Sequence, residues 1–420
     1  MIFIPFIYFT ILFLYLRHKN NGIDVSAYLA LLYAFISFFA ILIDLWNIYD
    51  INGVCVKSPI SFGATFSYCT LLTLSIVPFS RLHSTTLRKI TITKPQLMDV
   101  VSWGLILTFI ITLFMLFNDI HTALTSDLRE VRNLIYGDDS NQKIRGLEWW
   151  LMLPSTLFSQ FSPIAILFFY INVTNSRKST LFNYLLLASS VTPILSAILI
   201  AGRSQIIYWL LSYILCFFLF KNQMEAQHRK IIVRPFLVLA GVLAVFFASV
   251  TIARFASDTL DSDANTFNSI VSYIGQSFIN YNDFYNNYVC HQITLNRIFP
   301  VSHYFIFDPE WTLDSYRELI LSKTGMNIGI FYTFLGDLMV DLDKIGMIVF
   351  VLLFAILSTY LSRQEEDNSL PIYRILLIQM LILIPLQGLF YYSFHRVDVG
   401  YYIIGTILLS LFFKYTFKFR

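Results

Sequence analysis

The sequence predicts an all-α polytopic membrane protein with about eleven transmembrane helices, twelve being the alternative, and a large extracytoplasmic loop cap. Three observations predict it. The first is composition: across 420 residues, 57% are hydrophobic and 13% charged, and the mean hydropathy is +0.66, which no soluble domain of this size shows. The second is that the apolar residues fall in continuous runs long enough to cross a ~30 Å hydrocarbon core, such as Val233 to Ala253. A spanning β-barrel would alternate apolar and polar positions instead, so a porin is excluded. The third is that the basic residues segregate to alternate connections between the runs.

In chain order, the predicted spans begin with Ile2 to Leu16, which is followed by Arg17, His18 and Lys19. Positive charge after the run and none before it is the reverse of a cleavable signal peptide, so the run is expected to stay as a span. The next are Val25 to Tyr49, Ile60 to Phe79, Met98 to Phe117, Trp149 to Ile171, Leu181 to Ala201, Gln205 to Phe220 and Val233 to Ala253. Ile345 to Leu361, Ile372 to Tyr392 and Gly400 to Phe413 complete the set.

With the amino terminus outside and the carboxyl terminus inside, 17 of the 29 basic residues but only 6 of the 26 acidic ones face the cytoplasm. That asymmetry fixes the orientation. Asn327 to Val340 is apolar but short and carries Asp337. Counted as a twelfth span, it would erase the charge asymmetry, so it reads as an interfacial or re-entrant segment on the outer face. Two long outer loops follow, residues 118–148 and 254–344. The larger holds 14 aromatics between Phe255 and Met326, more than a solvated loop needs, so it is expected to fold over the membrane face. The whole chain, 1–420, reads as a single polytopic membrane domain, with no linker, repeat or low-complexity tract.

Several chemistries are absent. There is no phosphate-binding glycine loop, dinucleotide fingerprint or HExxH pair. Cys55, Cys69, Cys216 and Cys290 are too dispersed for a metal cage, although Cys55 and Cys290 both fall outside. The net charge of +3 gives no case for nucleic acid. Only Asp44 lies well inside a span, which disfavours an ion-coupled transporter. No cofactor or metal is expected.

The residues that stand out are polar groups at the outer ends of spans. Arg203, in the tight turn Ala201-Gly202-Arg203-Ser204, either snorkels to lipid headgroups or grips a phosphate bidentately. Arg254, ending the next outward span, has the same two readings. Arg129 and Arg132 share a helix face at i, i+3, suiting either Arg–Glu pairing or a pyrophosphate. His395, in Phe394-His395-Arg396-Val397-Asp398, is a histidine confined to a short outer turn, either a catalytic base or one polar group of an interfacial turn. Asp337 and Asp341 lie four residues apart on one helix face, to orient sugars or activate a hydroxyl; no third metal ligand is near them. Trp149, Trp150 and Trp311 suit either sugar stacking or the membrane interface.

At Gly202-Arg203-Ser204, and again from Thr324-Gly325-Met326-Asn327 through Thr333-Phe334-Leu335-Gly336-Asp337 to Val340-Asp341 and Gly346, the chain resembles bacterial O-antigen polymerases of the Wzy type. The order of elements agrees along nearly the whole chain. One departure is that Asp341-Leu342-Asp343 stands where relatives commonly show Asp, an aromatic and then Gly. The resemblance implies a metal-independent glycosyltransferase (an oligosaccharide repeat unit polymerase) of the bacterial inner membrane. It would transfer a growing glycan from undecaprenyl pyrophosphate onto a new lipid-linked repeat unit at the periplasmic face. A chain-length regulator and a flippase are the implied partners. His395, Asp337 and Asp341 would be catalytic, and Arg203, Arg254, Arg129, Arg132 and Arg396 would bind substrate. The alternatives are an O-antigen ligase, which transfers glycan to lipid A core, and a polysaccharide or lipid transporter.

Overall fold

The computed structural model describes residues 1–50, 53–82, 89–125, 158–199, 204–258, 266–289, 293–306, 312–365, 368–392 and 394–415. The described chain is helical but for two three-residue strands, β1 (Lys89–Thr91) and β2 (Ser369–Pro371). It divides into two compact units, one of residues 1–87 with 264–410 and one of residues 88–263 with 411–420. Among the described residues, Val25–Leu45, Phe62–Leu82, Pro95–Phe117 and Ser204–Gln223 are helices long and apolar enough to cross a membrane.

The first unit opens with α1 (Phe3–Lys19) and α2 (Val25–Leu45). The chain reverses between them because Asp24 accepts from Ala27 N at 2.8 Å and starts the new helix. Asn20 in turn donates to Asp24 at 2.7 Å. The two helices mesh through rings, Phe9 with Tyr33 at 5.6 Å and Phe6 with Phe38 at 5.7 Å. Next, α3 (Phe62–Ile76) is capped by Ser61, which accepts from Ala64 N. It tightens into a 3-10 turn over Val77–Leu82, where Pro78 has no N–H to continue an α-helical ladder.

The stretch expected to form the large outer loop is not an open loop in this unit. It holds α10 (Thr266–Asn287), which packs against α2 and α3. It passes Trp46 at Phe267 and crosses α2 at Gly275. It then runs beside Tyr68 at Phe278 and Tyr281, and Gly63 at Tyr285. At the crossing a β-carbon on Gly275 would lie 2.5 Å from the Phe39 carbonyl carbon, so only glycine lets the backbones approach this closely. Asn280 and Asn282, both buried, satisfy the extended segment between α2 and α3: Cys55 N donates to Asn280 and Ser61 N to Asn282, each at 2.9 Å. Cys55 is a free thiol, pushed up to about 12 by burial and then by Asp283; Cys290 lies outside the described residues.

The unit continues with α11 (Pro300–Ile306), α12 (Leu313–Thr324), α13 (Thr333–Leu361), β2, α14 (Ile372–Gln387) and α15 (Val397–Lys414), whose end from Leu411 belongs to the second unit. The segment expected at the interface, Asn327 to Val340, enters α13 from Thr333 onward and forms its opening. Its first part, up to Leu342, is separated from the rest by Asp343, at φ 62° and ψ 177°. Thr333, the first residue, also has a positive φ, of 64°. Both values are unusual for residues carrying a Cβ, and ψ puts Asp343 in a region that essentially only glycine occupies. The ten-residue half-helix between them is buried almost throughout.

The second unit comprises β1, α4 (Pro95–Thr125), α5 (Ser162–Thr174), α6 (Thr180–Ser189), α7 (Thr192–Leu199), α8 (Ser204–Phe220) and α9 (Ala226–Asp258). The run read as one span from Leu181 to Ala201 is broken between α6 and α7 at Ser190 and Val191. Pro193 at the start of α7 has no N–H to extend the ladder from α6. Polar groups meet the broken turn: Ser162 Oγ donates to Ser190 O at 2.6 Å and Trp209 Nε1 to Ser190 Oγ at 2.7 Å. At another end of the unit Asp99 pairs with Arg177 and Lys178, at 3.3 and 2.7 Å.

Candidate active site

The half-helix carries both expected acids, Asp337 and Asp341. Both positive-φ residues and its partners hold it as a rigid block: Tyr332 N and Thr333 N donate to Phe390 O at 3.1 and 2.8 Å, and Phe334 N to Gly388 O at 3.0 Å. These bonds satisfy N–H groups that a helix start leaves open. They also tie α13 to the turn after α14, which ends at Gln387 shortly after Pro385 rather than continuing to Tyr392 as the apolar run suggested. Gly336 leaves room for the Tyr332 ring, into which any β-carbon there would run. The ring itself stacks on Phe284 of α10 at 4.4 Å.

Asp337 and Asp341 are both fully buried. The expected shared face exists, and it meets a residue the sequence did not single out, Arg297, which is only 2% exposed. Arg297 Nε is hydrogen-bonded and ion-paired to Asp337 Oδ1. Its guanidinium lies over the Tyr332 ring, 5.7 Å from the centroid. Burial pulls the Arg297 proton affinity down, but Asp337 and Tyr332 beside it turn the net shift upward, so the cation is kept. Its Nη1 makes no hydrogen bond, and neither does the enclosed Nε of Arg317 on α12. A buried guanidinium nitrogen without an acceptor is costly unless something arrives to accept from it.

Asp341 is saturated. Oδ1 accepts from Thr294 Oγ1 and Tyr316 Oη, each at 3.0 Å. Oδ2 accepts from the backbone N–H of Arg297 and Ile298 at 2.7 and 2.9 Å. The carboxylate thereby closes the turn that carries Arg297. Burial nonetheless raises its proton affinity, with those four bonds opposing the rise. Asp337 is shared differently: Oδ2 accepts from Tyr392 N while Oδ1 holds Arg297.

That second bond reaches the histidine turn. His395 is buried, its Nδ1 lies 2.5 Å from Tyr392 O, and its ring meets Tyr391 edge-on at 4.5 Å. Burial first, then the nearby positive charges of Arg297, Arg396 and Arg317, hold its proton affinity well below the usual histidine value, against the Tyr392 bond. The imidazole is therefore neutral at pH 7.

Three expected residues, Asp337, Asp341 and His395, thus come together with Arg297 in the first unit. Arg396 is exposed, next to His395 in the chain. Arg254 lies on α9. Arg129, Arg132, Arg203, Trp149, Trp150 and Trp311 lie outside the described residues. No group of three or more metal-ligating side chains occurs among the described residues. The signal that would have revealed Arg297 is a lone charge in the apolar setting Leu295-Asn296-Arg297-Ile298-Phe299, 40 residues before its partner Asp337. No family of known sequences, no curated protein and no solved structure matches this chain.

Proposed function

We propose that this chain is a membrane-embedded glycosyltransferase that polymerises oligosaccharide repeat units carried on undecaprenyl pyrophosphate, acting at the periplasmic face of a bacterial inner membrane through about eleven spans. The observation that carries the reading is one cluster: an incompletely bonded Arg297 bound to Asp337 of the half-helix whose residues bear the polymerase resemblance, and a neutral His395 joined to the same carboxylate through Tyr392. In the proposed reaction His395 Nε2 takes the proton of the acceptor sugar hydroxyl. The freed oxygen attacks the donor's anomeric carbon, and the bond from that carbon to the pyrophosphate oxygen breaks. Undecaprenyl pyrophosphate leaves with the electron pair, and guanidinium groups bind the charge that develops on it. No metal is required for these steps. Asp341, whose oxygens are fully occupied by hydrogen bonds, serves to hold the Arg297 turn rather than to move a proton.

The test is a surface-polysaccharide gel from the host lacking this gene, complemented with wild type, His395→Ala, Arg297→Ala or Arg203→Ala at equal protein level. A polymerase predicts loss of the ladder on deletion, with a single repeat unit retained on the core, and no restoration by the variants. A ligase predicts loss of every repeat from the core with lipid-linked polymer accumulating; an unchanged ladder would overturn both.

A further inference from the structure

The first unit contains a connected path from Arg297 to His395 that runs through one carboxylate and the backbone of one residue. Arg297 Nε binds Asp337 Oδ1, Asp337 Oδ2 accepts from Tyr392 N, and the carbonyl of that same residue lies 2.5 Å from His395 Nδ1. A carbonyl oxygen only accepts, so Nδ1 must carry a proton. The neutral ring then has its lone pair on Nε2, where no hydrogen bond is made among the described residues. We infer that Asp337 is a positioning residue that fixes His395 in the Nδ1–H tautomer by clamping the Tyr392 residue, and with its other oxygen fixes Arg297, so that one carboxylate sets both the proton acceptor and the cation.

The physical case rests on how few alternatives the turn has. Tyr392 N–H and C=O belong to one residue, and its carbonyl direction follows the orientation of its backbone. That orientation is held by Asp337 at one end and by the bonds from Tyr332 and Thr333 to Phe390 O at the other. Asp337 is itself enclosed, with no exposure and with positive-φ residues at both ends of its half-helix. Without its second oxygen the Tyr392 N–H has no acceptor, and the turn relaxes to find one. The imidazole then loses the carbonyl that selects its tautomer, and Nε2–H becomes populated, a form that cannot accept a proton at Nε2.

This inference rests on the reading of His395 as the base, but its test does not use polymer formation. Full-length protein labelled with 15N-histidine is studied in nanodiscs at pH 7 by long-range 15N–1H correlation, in which the Nδ1–H and Nε2–H tautomers give different patterns. The chain has seven histidines, and the His395 signals are those that vanish in His395→Ala. The expected wild-type result is a single neutral Nδ1–H pattern. Asp337→Asn, which keeps the side-chain shape but loses one acceptor oxygen, is expected to populate both tautomers. Asp341→Asn, which touches the Arg297 turn but not Tyr392, is expected to leave the His395 pattern unchanged.

An unchanged pattern in folded Asp337→Asn would overturn the clamp. Where that variant does not fold, an Nε2–H or fully protonated wild-type His395 at pH 7 overturns it as well. The expected spectra together with an intact polysaccharide ladder from His395→Ala would instead remove the base assignment and leave the clamp standing.

Discussion

Single residues in the site are held at measurable cost. Asp343 sits at φ 62° and ψ 177°, where a side chain is opposed and glycine is not. A glycine would take up this conformation freely, so the aspartate is held there under strain. Asp343→Gly is expected to raise stability by about 1 kcal/mol, after allowing for the extra freedom glycine gives the unfolded chain; thermal unfolding in detergent checks it. Arg297 is the opposite case. Removing it leaves Asp337 buried with one oxygen unpaired, so Arg297→Ala is expected to cost about 3–5 kcal/mol, whereas replacing both partners with apolar residues of similar volume costs much less. His395 adds a pH dependence. Its folded proton affinity is depressed, so below the unfolded value of ~6.5 the unfolded chain binds a proton that the folded chain does not. Acidification therefore destabilises the protein through this residue, and the stability is fully present only above that pH. The drop in melting temperature from pH 7 to pH 5 is expected to be smaller in His395→Gln than in wild type; an equal drop would show that His395 titrates normally.

At the scale of elements, the half-helix from Thr333 to Leu342 was legible in outline, because a short apolar stretch with acids four residues apart has one face to bury them on. Its partner was not. Arg297 is distant in the chain, and a lone charge in an apolar stretch marks the residue but not the partner 40 positions away that it meets. The 14 aromatics between Phe255 and Met326 do not lie in an open loop throughout, and α10 shows how some of them pack: Tyr281 bonds Ser67 at 2.8 Å and packs on Tyr68, while asparagines saturate the backbone beside it. The breaks at Ser190 and after Pro385 were missed because hydropathy sees an unbroken run where proline removes donors from the ladder. The crossing of α10 over α2 is also invisible in composition, since it depends on one missing β-carbon. Gly275→Ala is expected to push α10 off Phe39 and cost about 1–3 kcal/mol by overpacking, read as a lower melting temperature with the fold otherwise intact.

For the whole molecule, the number of spans and their direction rest on charge, and one pair of positions separates the alternatives. Lys57 lies between the second and third predicted spans, with its side chain 55% exposed; Arg363, also exposed, follows Leu361 at the end of α13. Both belong to the same compact unit. With eleven spans and the amino terminus outside, Lys57 faces the periplasm and Arg363 the cytoplasm. Were Asn327 to Val340 a twelfth span, Arg363 would face the periplasm too. The half-helix is too short for that: ten residues rise about 15 Å, half of a ~30 Å hydrocarbon core. Its buried acids, each bonded within the protein, suit an element that dips into the outer leaflet among protein groups and returns. In a cysteine-free background, Lys57→Cys is expected to react with a membrane-impermeant maleimide in intact spheroplasts, and Arg363→Cys only after the membrane is opened. Labelling of both in intact spheroplasts would make the segment a full span and would move Asp337 and Asp341 away from the outer face, taking the proposed periplasmic chemistry with them.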